Sequence, residues 1–305
     1  MRSRSPPPVS LEGLIVPTPT LFGDRGELDE ERNARFSRDL CVRGVDHLFV
    51  LGSLGEFPSV DESERDRLLA AVAAALSGGT DLWVGCGAPS TAQAVRFVRQ
   101  AERAGARALV AVPPYYLHPT EAAIGRYYRA LRAEATVPLL AYNIPSLVGY
   151  ALRPEFVHAL GRDGVLAGVK DTSGSLPSVR AFLHDAPAGF RVFPGDDRLA
   201  SDAIAAGAAG AVMGTANVLP GLAVRLVAAA RRGDVATARS LQAVVDRLVG
   251  VLGAGPFPAT GKYLAAHLRG APEGYRSPYD RLTPEEERAV REALAPLESE
   301  FLGQL

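Results

Sequence analysis

Short apolar runs alternate with longer stretches of helical spacing from Leu14 to Gly214, and the alternation repeats eight times. The runs cover 14–18 (LIVPT), 47–51 (HLFVL), 82–86 (LWVGC), 108–112 (ALVAV), 139–143 (LLAYN), 165–170 (VLAGVK), 191–194 (RVFP) and 211–214 (AVMG). Helical patterns fill about 29–43, 61–76, 91–104, 120–135, 154–160, 175–184 and 199–206. The runs are nearly continuous in apolar residues, as parallel strands covered on both faces are. Eight such units predict an α/β fold of the (β/α)8 (TIM) barrel type. An open doubly wound sheet would bring a glycine-rich turn after its first strand, and PTPTLFGDRG is a poor match to one.

Beyond 218 the strand pattern stops. Helices are expected at about 220–232, 235–252 and 259–268. A last one starts at Pro284, capped by Thr283 with Glu286 three residues on. The chain therefore divides into a loose N-terminal tail (1–10), a catalytic barrel (11–218) and a C-terminal helical region (219–305). The tail, MRSRSPPPVS, carries two arginines with no apolar segment behind them, unlike a secretion signal.

Composition narrows the class of function. With 33 basic and 34 acidic side chains among 305 residues, no basic field is left to hold nucleic acid or an anionic membrane. No apolar run approaches the ~18 residues of a membrane span. Cys41 and Cys86 lack metal-ligand or redox spacing and are expected as buried free thiols of a cytoplasmic protein. Lysine occurs only at 170 and 262. Arginine-rich usage follows from a GC-rich coding sequence, but it makes a lysine in an apolar strand less accidental.

A barrel builds its active site at the C-terminal ends of its strands. The polar residues there are Thr18, Ser53 and Glu56, Tyr115 and Tyr116, Tyr142 and Asn143, Lys170 to Thr172, Asp196 and Asp197, and Thr215 and Asn217. They include no histidine and no zinc-spaced ligand set, so no metal is expected. Lys170 closes an apolar strand. Burying an ammonium is costly, so a lysine in such a place serves as a neutral amine that adds to ketones. The bland alternative pairs it with Asp171 or Asp197. Tyr142 ends the neighbouring strand, ~4.8 Å away, where a phenol could shuttle protons; alone it would read as a core tyrosine. Lys262 is expected to pair with an acidic surface group. Histidines 47, 118, 158, 184 and 267 are expected to be satisfied or exposed.

With these residues placed, the sequence resembles the dihydrodipicolinate synthase/N-acetylneuraminate lyase family of class I, pyruvate-handling aldolases, over nearly its whole length. Gly52-Ser53-Leu54-Gly55-Glu56 is similar to the family's G-[ST]-x-G-E loop, Tyr142-Asn143-Ile144-Pro145 to its Y-N-x-P, and Gly168-Val169-Lys170 to its G-x-K. Gly195-Asp196-Asp197 and Thr215-Ala216-Asn217-Val218 fit its later loops. The resemblance implies that Lys170 forms the imine with a 2-oxo acid and that Tyr142 is the general acid/base. Ser53 and Tyr116 would complete a hydroxyl relay, the tyrosine being lent by a neighbouring subunit of a homotetramer built as a dimer of dimers. Leu54 and the backbone at Val212 would hold the carboxylate, and Thr172, Gly195, Asp197 and Leu147 the rest of the substrate.

Two departures refine the reading. The family's synthases carry an arginine two residues after the Pro of Y-N-x-P, where this chain has Leu147; the second hydroxyl of the strand-2 loop is replaced by Leu54. The pattern is closer to the branch that cleaves 2-keto-3-deoxy sugar acids or 4-hydroxy-2-oxoglutarate. The expected activity is cleavage or formation of a 4-hydroxy-2-oxo acid from pyruvate and an aldehyde, with no cofactor beyond the lysine imine. A synthase-type condensation, a keto-deoxy sugar acid dehydratase and a catalytically impaired 2-oxo acid binder are the alternatives.

Overall fold

A computed structural model describes residues 10–77 and 79–304. Eight strands, β1 (Gly13–Pro17), β2 (His47–Val50), β3 (Asp81–Gly85), β4 (Ala108–Ala111), β5 (Leu139–Asn143), β6 (Gly168–Asp171), β7 (Arg191–Pro194) and β8 (Gly210–Val212), form one parallel sheet. Its order is β7-β6-β5-β4-β3-β2-β1-β8. The amide of Ala209, just before β8, donates to Val192 O of β7 at 3.0 Å and links the sheet's two ends. The sheet is thus a nearly closed TIM barrel.

Outside it lie α1 (Glu30–Val42), α2 (Glu62–Ala75), α3 (Thr91–Arg103), α4 (Glu121–Glu134), the one-turn α5 (Pro145–Val148), α6 (Pro154–Arg162), α7 (Leu176–Leu183) and α8 (Ala200–Ala205). Their starts are set by local chemistry. Asp29, Ser90 and Thr120 accept hydrogen bonds from the first-turn amides of α1, α3 and α4, each cap being worth about 1 kcal/mol. Asp61 and Glu64 form a reciprocal capping box at α2. The strand runs face apolar surroundings on both sides. Leu48 and Val50 pack outward with the helices, whereas Phe49 points inward beside Ile15, Trp83, Leu140 and Phe193. Trp83 and Phe193 meet edge to face, ring centroids 5.6 Å apart. The barrel interior is therefore packed below its mouth.

The C-terminal region contributes α9 (Pro220–Arg231), α10 (Val235–Leu252), α11 (Ala259–Arg269), α12 (Pro284–Leu294) and α13 (Glu298–Leu302). Thr283 and Glu286 make the expected capping box at α12. One expectation fails here. Lys262 is not a surface group: it is 2% exposed, its Nζ lies 2.6 Å from Glu56 Oε1, and it donates to Gly274 O at 2.8 Å. The reason is the packing of α11 against the strand-2 loop and the 270–282 segment, which covers the face that the sequence pattern leaves to solvent. Cys41 and Cys86 are buried and free. His47 and His158 are buried, each with a backbone carbonyl partner. No helix among the described residues is long and apolar enough to cross a membrane. The expectation for the tail falls on residues outside the described set, apart from exposed Ser10.

Candidate active site

Strand register brings the central pair together. Tyr142 and Lys170 are Cα partners across β5 and β6, and Lys170 and Phe193 across β6 and β7. Successive strand residues face opposite ways, so Val169 packs outward while Lys170 turns into the mouth. Lys170 is 5% exposed, with its Nζ 3.8 Å from the centroid of the Tyr142 ring and 5.1 Å from that of Phe49. An alanine-sized Cβ at Gly195 would stand 2.8 Å from Lys170 Cε and 2.1 Å from Thr172 Oγ1. Glycine is required there to leave room for the lysine.

The bland alternative for Lys170 does not hold. Asp171 turns away, accepting from Asn143 Nδ2 at 2.7 Å and Ser173 Oγ at 2.9 Å. Asp197 accepts from Gly214 N at 3.1 Å, Thr215 N at 2.7 Å and Thr215 Oγ1 at 2.5 Å. Burial pushes the Asp197 carboxyl above its ordinary range, and these donors restrain the rise. Among the described residues no carboxylate forms an ion pair with Lys170.

Tyr142 is 4% exposed, and its hydroxyl is 3.4 Å from Ser53 Oγ. Burial pushes the phenol up, but the Lys170 charge and the nearby Lys170, Ser53 and Thr172 donors outweigh it. The net result is a phenol below its ordinary value of 10. Thr172 Oγ1 is itself buried and makes no well-formed hydrogen bond. A buried amine, an acidified phenol and a hydroxyl that leads outward are what imine chemistry requires: a nucleophile and a proton carrier within reach of one carbonyl.

Two cavities flank this pair. One, about 330 Å³, is lined by Leu54, Thr172, Gly195, Asp197, Thr215 and Lys262, among others. The second, about 320 Å³, is lined by Ser53, Phe57, Tyr115, Ile144, Leu147 and Val148, among others. Phe257 and Pro258 border both. Both present a largely apolar surface, with more charged and hydroxyl side chains named along the first, and each is of a size that holds a small ligand. Among the described residues no three of His, Cys, Asp and Glu gather as a metal ion would need.

The remaining expected site residues are placed differently. Tyr116 is 90% exposed with a φ of 75°, and Tyr115 rather than Tyr116 lines the second cavity of its own chain. Val212 ends β8 with its side chain inside the barrel and borders neither cavity. Asn143 acquires a role that its position alone does not reveal. Its Nδ2 holds Asp171, and its Oδ1 accepts from Leu152 N at 2.9 Å, which pins the loop after β5.

The model of the dihydrodipicolinate synthetase family matches residues 10–297. The chain belongs to that family. Its members are lyases and aldolases, and this chain is an enzyme of the set. An uncharacterised DapA-like lyase of Halobacterium salinarum is 36% identical, with 95% of each chain covered. A probable 2-dehydro-3-deoxy-D-pentonate aldolase of Escherichia coli K12 is 33% identical over 75% of this chain and 77% of its own. A 4-hydroxy-tetrahydrodipicolinate synthase of Chlorobium chlorochromatii is 31% identical, covering 94% and 97%. Among solved structures of the family, YagE of Escherichia coli K12, crystallised with pyruvate, superposes with a TM-score of 0.88 at 28% identity, over 95% of this chain and 99% of its own.

Proposed function

We propose that this protein is a pyruvate-dependent class I aldolase that cleaves, or reversibly forms, a 4-hydroxy-2-oxo acid. The observation that carries the reading is the Lys170–Tyr142 pair: a buried amine with no carboxylate partner among the described residues, 3.8 Å from the ring of a phenol whose acidity it raises. The Lys170 amine adds to the C2 carbonyl, and loss of water gives an iminium. The Tyr142 phenolate takes the proton of the C4 hydroxyl. The C3–C4 bond then breaks, its electron pair forming the enamine while the C=N pair moves to nitrogen, and the aldehyde leaves. Tyr142 returns the proton to C3, and water hydrolyses the new iminium to pyruvate and free Lys170. The iminium supplies the electron sink, so this sequence calls on no metal or organic cofactor.

Ser53 would pass protons between Tyr142 and solvent. The exposed Tyr116 and the neighbouring Leu117, 76% exposed, suit a loop offered to a second copy of the chain, as a homotetramer would require. The aldehyde half is expected to be uncharged. Arg198 and Lys262 are the cations on the cavity walls, and each is already held by a carboxylate, Asp196 and Glu56 respectively, at 2.6 Å. The Thr172, Gly195 and Asp197 wall suits hydroxyl groups, in keeping with a 2-keto-3-deoxy sugar acid.

Relatives named as synthases favour a second reading, condensation of pyruvate with an aldehyde through the same imine. Leu147, where those synthases carry arginine, weighs against it. A retro-aldol screen over 4-hydroxy-2-oxo acids whose aldehyde half is either uncharged or carboxylated, read by pyruvate release, tests the proposal. Release from sugar-acid substrates with an uncharged aldehyde half is expected; binding without any pyruvate release would overturn it.

A further inference from the structure

The mechanism leaves unused a buried ion pair that joins the strand-2 loop to the C-terminal region. Glu56 and Lys262 are each 2% exposed, and they stand 206 positions apart in the chain. Among the described residues neither Glu56 oxygen receives a well-formed hydrogen bond, so the ion-pair contact of Lys262 with Oε1 is what holds this carboxylate. Lys262 is fixed in turn by Gly274 O and stands over the rings of Phe22 and Tyr275 at 5.2 and 5.3 Å.

Glu56 sits where its side chain must matter. Its backbone is left-handed, with φ 50° and ψ 38°, a region that favours glycine and disfavours a side chain of this size. Its amide donates to Ser53 O at 3.1 Å and so closes the turn that presents Ser53. The flanking Gly55 O is held by Thr20 Oγ1 at 2.6 Å. A residue kept in a disfavoured conformation, with its buried carboxylate in direct contact with Lys262 and the Arg276 charge beyond it, points to a device that fixes geometry. The geometry in question is that of Ser53, whose hydroxyl reaches Tyr142 at 3.4 Å, the long end of hydrogen-bond range.

We infer that Glu56 and Lys262 are positioning residues: the pair locks the Ser53 turn against Tyr142, so that α11 of the C-terminal region governs proton transfer at the imine. The inference rests on the aldolase reading above. Lys262 borders the first cavity and Glu56 the second, but their charged ends engage each other, and the pair is assigned no hydrogen bond to substrate and no part in forming the imine. Its loss is expected to slow proton traffic while leaving Lys170 able to react.

The test uses the full chain with pyruvate in deuterated water. Borohydride reduction measures imine occupancy at Lys170, and proton NMR measures exchange of the pyruvate methyl protons, which needs Tyr142 and its path to solvent. Glu56→Gln is expected to trap pyruvate to the wild-type extent while exchanging methyl protons roughly tenfold or more slowly, the scale of proton-transfer catalysis. Ser53→Ala is expected to show the same loss, and Glu56→Gln on top of it to add little, since both act through one hydroxyl. Because a lone buried charge can destabilise the fold, Glu56→Gln/Lys262→Met, which removes both charges, is measured alongside. Wild-type exchange in these variants, losses that multiply with Ser53→Ala, or equal losses of trapping and exchange would each overturn the inference. Failure of the wild-type protein to trap pyruvate would instead overturn the aldolase reading, and this inference with it.

Discussion

Lys170 Nζ lies 3.8 Å from the centre of the Tyr142 ring, on the strand next to it and in direct register. The contact places a charge beside a phenol that burial alone would make less acidic. The relationship follows from two apolar runs, 139–143 and 165–170, in which Tyr142, next to last in the first, and Lys170, last in the second, turn inward together.

A first prediction concerns the phenol. In Lys170→Met, burial acts without the opposing charge, and the Tyr142 pKa is expected to rise relative to wild type. Ultraviolet difference titration against Tyr142→Phe isolates the group. Its depressed value also makes stability pH-dependent. Between the lowered pKa and 10 the unfolded chain binds more protons than the folded one, so this group adds stability as pH rises through that window. The gain is lost as pH falls below the folded-state value. Tyr142→Phe should remove this dependence and lower turnover by roughly 10²–10⁴-fold.

Gly195→Ala tests the room left for the lysine. The added methyl would collide with Thr172 Oγ1 and press on Lys170 Cε. Imine formation is expected to fall on the order of 100-fold, because a displacement of about 1 Å at reacting groups has that effect. Trapping kinetics with pyruvate measure it, and circular dichroism should remain that of a folded barrel.

The Asn143 bridge is a stability prediction. Asn143→Ala orphans the buried Leu152 amide and leaves Asp171 Oδ1 with only the longer bond from Ser173 N, at 3.3 Å. Each buried group left unsatisfied costs about 1–3 kcal/mol. A fall in the denaturant midpoint is expected; an unchanged midpoint would show that water replaces both bonds.

Much of this arrangement was legible in the sequence because parallel strands buried on both faces are written as continuous apolar runs. The ends of those runs located Lys170 and Tyr142 to the residue. Their contact depends on strand register, which the run boundaries approximate: the sixth run reads as 165–170, whereas β6 spans Gly168–Asp171. What stayed hidden depends on pairing over long separations. Lys262 opens a helix with a polar flank, and nothing local reveals that Glu56 waits beneath it. Asn143 reads as a strand-end polar residue until Asp171 and Leu152 are brought to it. Short α5 and α13 are too brief to show periodicity.

Leu147 offers a specificity prediction. It is 62% exposed at the second cavity, which holds no cation among its described lining residues. Leu147→Arg is expected to raise kcat/KM for substrates that release a carboxylated aldehyde by roughly 10–100-fold relative to neutral ones, the worth of a charge-assisted hydrogen bond. Paired assays on the two kinds of substrate measure the ratio.

The central claim is that Lys170 is the covalent nucleophile. Incubation of the wild-type chain with pyruvate and borohydride, followed by peptide mass spectrometry, tests it most directly. The account predicts a stable added mass on the peptide that contains Lys170, absent in Lys170→Met. Folded wild-type protein that remains unlabelled at Lys170, or that carries the mass at Lys262 instead, would contradict it.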